Sequence, residues 1–525
     1  MVLFNKIQKC LKNKILHVYL LLLLNIGLLL LATPKSIEYF CKVNFATSNI
    51  LLLGCGTIIC TTFLFFYRSE KNTNNNKLKV NFSYLLSGMI IVQLAVCYNI
   101  QFLTNWDVNM LLSNAKWIAD GDYQKLNNGY FSSYPNNVLL VYCFSLVFKF
   151  LNLIGIDSFI KGVRLIVAFQ CFLSIYTLWL LAKSVSDIVK SVIYTRFAVM
   201  IYVAIVGLSP WLVITYSDSI GLIFPILFLY LHQKVNDGNI FKMTVLMGVL
   251  SFIGYKIKPQ VIFVCIAIVI VHLLVVNLSS YDFKRFIREM KIAIIFISAV
   301  ILSNFVYQSF VVPSTYFKLN KEAEFGIAHY LMVGHDYTRG GVYSGRDVKF
   351  SSEIKTQKER TVKNMGVFKE RIEYLKPVGL AKFYAKKTLT NFNDGTFAWG
   401  QEGGFYNKIF KNKNKYLSPF LRNIYYHNGK YYIYWSSFMQ MIWLIILFFN
   451  GCLIFAREFV EKNKTLLVAV VSVIGLTIFE TLFEARARYL YTYVPIYILL
   501  ATVGCKFYIK RITDFINKIL QVKRR

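Results

Sequence analysis

A chain of 525 residues that is 56% hydrophobic and only 16% charged, with a mean hydropathy of +0.50, is excluded from the ordinary soluble globular class. Its net charge of +33 comes as short Lys/Arg clusters between long apolar runs, which fits loops facing anionic lipid and excludes an ordered nucleic-acid surface. The ten cysteines are scattered, several of them inside apolar runs, with no CxxC pair, so neither a zinc site nor a disulfide framework is indicated.

Runs able to cross the hydrocarbon core fall at roughly 15–33, 49–67, 82–102, 163–182, 194–214, 219–231, 243–256, 259–277, 292–312, 437–456, 465–483 and 489–508. The fold class expected is a mainly α polytopic transmembrane helical bundle of about twelve spans. The first run lacks a small-residue cleavage signature and precedes further spans, so it reads as a retained helix. The basic stretch KIQKCLKNK before it predicts a cytoplasmic N-terminus. Counting onward, the inner side receives 67–79, 182–196, 232–242, 283–291, 456–464 and the C-terminal tail, each with more Lys and Arg than Asp and Glu. This agreement requires that the apolar stretch 138–151 does not cross, so it is expected as an outer juxtamembrane helix.

Four units follow. Residues 1–80 hold two extra N-terminal spans, and 81–312 form a core with a first outer loop at 103–162. Residues 313–436 form a small extracytoplasmic domain, and 437–525 the last spans and the basic tail.

The charges expected at outer helix ends carry the information, because charge at a membrane boundary is costly unless paired or used. Asp107 in NWDVN follows a span and opens an interfacial helix flanked by Trp106 and Trp117. Asp218 occupies a corner in ITYSDSIG. Either acid could simply cap the helix that follows it. Lys256 and Lys258 in GYKIKPQ break the positive-inside pattern, and either snorkel to lipid phosphate or hold a substrate phosphate. Glu480, Glu484, Arg486 and Arg488 gather in ETLFEARARY, either as a salt-bridge cluster pinning two helices or as a phosphate-binding corner.

The order of these elements resembles the GT-C superfamily of membrane glycosyltransferases, and within it the branch of protein O-mannosyltransferases and the lipid A aminoarabinose transferase. The resemblance rests on Asp107 after the first core span and on Ser133-Tyr134-Pro135-Asn136-Asn137 opening an outer helix. It rests further on Tyr216-Ser217-Asp218 and on Glu484-Ala485-Arg486-Ala487-Arg488-Tyr489 with Pro495 beyond, and it covers roughly 82–510. GGVYSGRD (340–347) and NDGTFAWGQEG (393–403) are similar to stretches in membrane glycosyltransferases of low-GC Gram-positive bacteria.

The resemblance implies transfer of a sugar from a polyprenyl-phosphate donor to a cell-envelope acceptor, a wall polysaccharide, teichoic acid, glycolipid or protein, at the outer face of the cell membrane. Asp107 is then the general base, and Asp218 orients the acceptor or Asp107, or helps hold a metal. Lys256, Lys258, Arg486 and Arg488 surround the leaving phosphate. Tyr134, Asn136, Asn137, Tyr216 and Glu484 contact sugar or acceptor, with Trp399 stacking on the sugar. Tyr343 to Asp347 and Asn393 to Glu402 are expected to line the cavity. Some members use a divalent metal and others none, so the resemblance names no certain cofactor; His329, His335 and Asp336 lack the spacing of a metal site. Segment 313–436 carries about twice as many basic as acidic residues, which suits an anionic polymer. The competing readings are a flippase or transporter of lipid-linked saccharides and a non-catalytic envelope protein.

Overall fold

A computed structural model describes residues 2–33, 36–38, 42–67, 75–236, 238–276 and 283–522. The chain is overwhelmingly helical. The principal helices are α1 (Val2–Leu31), α2 (Asn49–Tyr67), α3 (Asn75–Ile100), α4 (Asp107–Asp120), α5 (Val138–Leu153), α6 (Phe159–Val189) and α7 (Val192–Tyr202). They continue with α8 (Ile223–Lys234), α9 (Ile240–Ile257), α10 (Ile262–Val276), α11 (Phe283–Val306), α12 (Gln357–Phe392), α13 (Tyr432–Gly451), α14 (Lys464–Leu482) and α15 (Val494–Val522). Two short antiparallel strand pairs accompany them, and one joins Phe102–Leu103 to Lys408–Ile409.

Among the described residues, eight helical stretches are long and apolar enough to cross a membrane: 11–31, 82–100, 135–153, 159–189, 240–257, 290–315, 432–462 and 464–482. Three shorter apolar stretches, 49–64, 192–207 and 259–272, accompany them. Seven of the twelve runs expected from the sequence fall among these eight, three more are the shorter stretches, and the eighth, 135–153, is the stretch not expected to cross. The run at 219–231 is split between Ser217–Gly221 and α8, and the run at 489–508 between Arg488–Tyr491 and α15. Breaks at both places put backbone turns where charged side chains enter the bundle.

The interior is built on α13 and the first half of α15. Their Trp443, Phe449 and Tyr497 are fully buried, and the two helices come so close that a Cβ on Gly504 would lie 1.8 Å from the Phe449 carbonyl. α11 lies at the rim. It packs on α9 where Gly248 meets Ala299, and it turns Ile297, Ile301, Leu302 and Phe305 outward. Leu21, Leu24 and Leu28 of α1 and Phe169 and Phe172 of α6 are likewise exposed. Apolar surface of this extent is costly in water and is satisfied by lipid.

α5 meets the length and composition of a span, yet both its ends belong to one end of the bundle. At its start, Asn137 Nδ2 donates to Tyr130 Oη at 2.9 Å. At its finish, Asn152 Nδ2 donates to Asp120 Oδ1 at 2.9 Å, at the far end of α4. α6 then runs antiparallel to α3, with Arg164 on Gln101 at 2.8 Å and Gln93 on Ser174 at 3.2 Å. It thus starts where α3 ends. α4 and α5 therefore form a helical hairpin whose ends lie near the end of α3. Gly121, at φ +80°, stops α4 in the left-handed conformation that glycine accommodates.

Segment 313–436 is not a separate body. Thr356 caps α12, whose rod is broken at Lys376 (φ 55°) before Pro377. The chain then re-enters the bundle. Phe397, Trp399 and Phe405 join the common core with Phe102 and Trp211.

Candidate functional site

The helix ends near 100, 216, 258 and 488 meet at the end of the bundle that carries the α4–α5 hairpin. Asp107 and Asp218 each lie in the first turn of a helix, but Trp106 and Tyr216 occupy the cap positions, and neither acid's side chain caps. Their carboxylates are directed at side chains instead. Tyr216 Oη donates to Asp107 Oδ2 at 2.9 Å. Asp218, 1% exposed, accepts from Lys258 Nζ at 2.5 Å and from an Arg488 terminal nitrogen at 3.3 Å.

Arg488 is the hub. Its Nε faces Glu402 Oε1 at 3.2 Å, and its guanidinium lies 4.9 Å from the Trp106 ring, 5.2 Å from Tyr489 and 5.4 Å from Tyr216. Burial opposes its charge, but the Glu402 and Asp218 carboxylates prevail and hold it firmly protonated. Arg486 reaches the other Glu402 oxygen at 3.3 Å. Glu484 accepts from Tyr489 Oη at 3.0 Å, and burial raises its pKa against the pull of Arg486 and Arg488. Tyr134 lies in the field of both Asp107 and Glu484; burial first, then these neighbours, raise its pKa.

Asp107, Tyr216, Asp218, Lys258, Arg486 and Arg488 are thus one connected network, drawn from four distant stretches of sequence. Two expectations need correction. The cations do not form an open ring: Lys258, Arg486 and Arg488 are each already matched to a carboxylate, because unpaired charge in so buried a place is too costly. Trp399 offers no face to a sugar. It is fully buried, donates Nε1–H to the Tyr425 carbonyl at 2.7 Å and is boxed in by Phe102, Trp211 and Phe405. Lys256 lies apart from Lys258, over the Tyr307 ring at 4.9 Å, as two residues along a helix face nearly opposite ways. Asn136 donates to Asn137 Oδ1 at 3.3 Å and sits behind Tyr130 and Tyr134.

Of the two segments expected to line a cavity, 393–402 delivers Glu402 to the two arginines. In the other, Asp347 instead forms a forked pair with Arg371 at 2.8 Å, beside Asp336. His329 bonds Ser351 Oγ at 2.7 Å, and His335 bonds Tyr384 Oη at 2.9 Å, so both are engaged within segment 313–436. No group of three His, Cys, Asp or Glu able to hold a metal occurs among the described residues.

Sequence reasoning missed two contributors. Tyr130 lies beside Asp107, with nothing local to mark it. Lys387 is fully buried, and its ammonium donates to the carbonyls of Gly334 (2.7 Å), Thr481 (2.8 Å) and Phe483 (2.5 Å). It ties segment 313–436 to the irregular stretch that carries Glu484, Arg486 and Arg488. Gly334 packs there because a Cβ would lie 2.5 Å from Phe483 backbone.

Residues 6–507 match the model of one family, the conserved hypothetical integral membrane proteins. The chain belongs to that family. No curated protein and no solved structure matches it. The family is defined by membrane integration and specifies no reaction, so the arrangement of side chains carries the functional argument.

Proposed function

We propose that this member of the family is a glycosyltransferase that takes a sugar from a polyprenyl-phosphate carrier and gives it to a hydroxyl of a cell-envelope acceptor. The observation that carries the reading is the meeting of a half-buried carboxylate, Asp107, with the Arg488–Asp218–Lys258–Glu402 network at one end of an apolar bundle. The basic loops at the other helix ends support an orientation with that end outside the cell and both termini cytoplasmic.

In this reading the acceptor hydroxyl loses its proton to Asp107 as its oxygen bonds to the anomeric carbon. The bond from that carbon to the phosphate oxygen breaks, and the polyprenyl phosphate departs with the electron pair. Arg488 and Arg486 stabilise the charge growing on the phosphate by sharing their donors between it and Glu402, with Lys258 behind them. Asp218 holds Lys258 and Arg488 in place, a positioning role. Tyr216 aims the Asp107 carboxylate. Tyr134, Asn137 and Glu484 border the space in front of it.

The test is genetic and chemical. Deletion of the gene removes one glycosyl substituent from the envelope polymers or glycolipids, and wild-type protein restores it. Asp107→Asn reaches the membrane at normal level and does not restore it. Full restoration by the mutant would remove Asp107 from the reaction. Reporter fusions near residues 150 and 380 should both read as outside; an inside signal from either would overturn the orientation.

A further inference from the structure

The loop 393–404 has two working faces. Glu402 faces the arginines, while its neighbour Gln401 faces the other way, into a cavity of about 260 Å³ between the loop and the start of α13. Asp394, Gln401, His427, Tyr432, Ser436 and Asn44 line it. The loop is held in a costly conformation to make this wall. Phe397 and Ala398 both have positive φ (58° and 60°), a region that side-chain-bearing residues seldom adopt. Gly400, at φ +73°, has no Cβ, and one there would sit 2.3 Å from the His427 ring.

The lining chemistry selects a ligand class. Among the described residues no Lys or Arg borders the cavity, so its described lining does not attract phosphate or carboxylate. Its one acid is already spent: Asp394 Oδ1 accepts from Thr396 N–H at 2.8 Å and from its hydroxyl at 2.6 Å. Asp394 Oδ2 accepts from Ala398 N–H and Gln401 Nε2, each at 2.8 Å, which leaves no oxygen bare for a cation. Gln401 Oε1 is buried without a hydrogen-bond partner among the described residues, an expense that a ligand hydroxyl would relieve. Burial lowers the pKa of His427 against a hydrogen bond to the Trp399 carbonyl, so its imidazole is neutral at physiological pH and, with its N–H engaged there, offers an acceptor. The Tyr432 ring and hydroxyl complete a surface that is aromatic on one side and mixed donor–acceptor on the other.

We propose that this cavity is a binding site for one neutral sugar residue or polyol unit. Neutral hydroxyls match its mixed, uncharged donors and acceptors, and its volume admits a single ring. Two devices hold the site. Asn49 Nδ2 donates to Asn393 Oδ1 at 2.8 Å, and Gln440 clamps the pair by donating to both Asn49 (3.1 Å) and Asn393 (3.0 Å). The N-terminal helices thereby brace the wall, which gives the two spans before the core a purpose. Binding stands on the cavity alone. That the bound unit belongs to the acceptor, with its next hydroxyl leading toward Asp107, rests on the glycosyl-transfer reading.

The experiment uses the full chain purified in detergent and saturation-transfer difference NMR. The probes are glucose, N-acetylglucosamine and ribitol, with inorganic phosphate as the anionic control. At least one neutral probe gives a saturable signal, in the range of about 1 mM. Tyr432→Phe weakens that signal about fivefold, the worth of one hydrogen bond, and Ser436→Leu, which fills the cavity, abolishes it. Asp107→Asn leaves it intact. No saturable signal from the wild type, equal signals from the wild type and Tyr432→Phe, or preference for phosphate would overturn the assignment. Should Ser436→Leu fail to fold, Tyr432→Phe decides. If Asp107→Asn kept full transfer activity while binding still mapped to the cavity, the glycosyl-transfer reading would fall and the sugar site would stand.

Discussion

The Asp218–Lys258 pair gives the sharpest energetic prediction. The two side chains are 1% and 5% exposed, and the charged atoms are 2.5 Å apart. Asp218→Asn leaves the Lys258 ammonium with the Tyr489 ring, 4.8 Å away, and the more distant Glu480, while Lys258→Met leaves Asp218 with Arg488 alone. Removing one partner of a buried pair costs about 3–5 kcal/mol, because the survivor stays desolvated. Arg488 keeps Glu402 in the first variant and Asp218 in the second, so the lower end of that range applies to each. The double variant carries no orphaned charge. It should lose less than the sum of the two single losses, by about 2 kcal/mol or more. Unfolding in mixed micelles by added SDS, followed by tryptophan fluorescence, measures all four corners of the cycle. Strict additivity would refute the pairing. The double variant should also be inactive despite its recovered stability, because Arg488 is then held by Glu402 alone.

Three further outcomes follow from particular contacts. Lys387→Met strands the carbonyls of Gly334, Thr481 and Phe483, costs about 2–3 kcal/mol in the same assay, and raises KM for the lipid donor by loosening the stretch that carries the arginines; unchanged stability would remove its latch role. Gly504→Val forces α13 and α15 apart at Phe449 and should abolish accumulation of folded protein, measured by detergent gel filtration; a normal yield would contradict the close crossing. His329 and His335 titrate near about 4 in the folded chain because of burial, against 6.5 when free. The unfolded state therefore binds more protons between those values, so stability falls as pH drops from about 6.5 toward 4, by about 2 kcal/mol per histidine. Melting curves against pH should show this loss reduced in His329→Gln and His335→Gln; identical pH dependence would contradict it.

The legible part of the fold was what periodic apolar sequence and loop charge encode. The start of most spans, the α4–α5 hairpin and the membrane-end acids follow from run length and the constraint that basic loops share a side. Charge bookkeeping over the whole chain argues that α5 does not cross, while its own length and composition would allow it to. The convergence of Asp107, Asp218 and Arg488 was expected because each is a charge at a helix end, and helix ends on one side of a bundle are near one another. What failed was anything set by tertiary partners. Pairing of the cations depends on partners remote in sequence: Lys258 meets Asp218, 40 positions away, and both arginines meet Glu402 across more than eighty. Trp399 is indistinguishable in sequence from a sugar-stacking tryptophan; only the re-entry of 393–405 into the core reveals its burial. Lys387 sits in a run of lysines that reads as solvated surface, and only its three carbonyl partners set it apart.

The central claim concerns the carboxylate of Asp107. Purified wild-type protein in lipid nanodiscs, given a short-chain polyprenyl-phosphate hexose and envelope acceptor material, should move radiolabelled sugar to the acceptor and release the polyprenyl phosphate. Asp107→Asn should bind the donor with unchanged affinity and turn over at least about a hundredfold more slowly, the usual contribution of a general base. Turnover by the mutant at the wild-type rate would contradict the account.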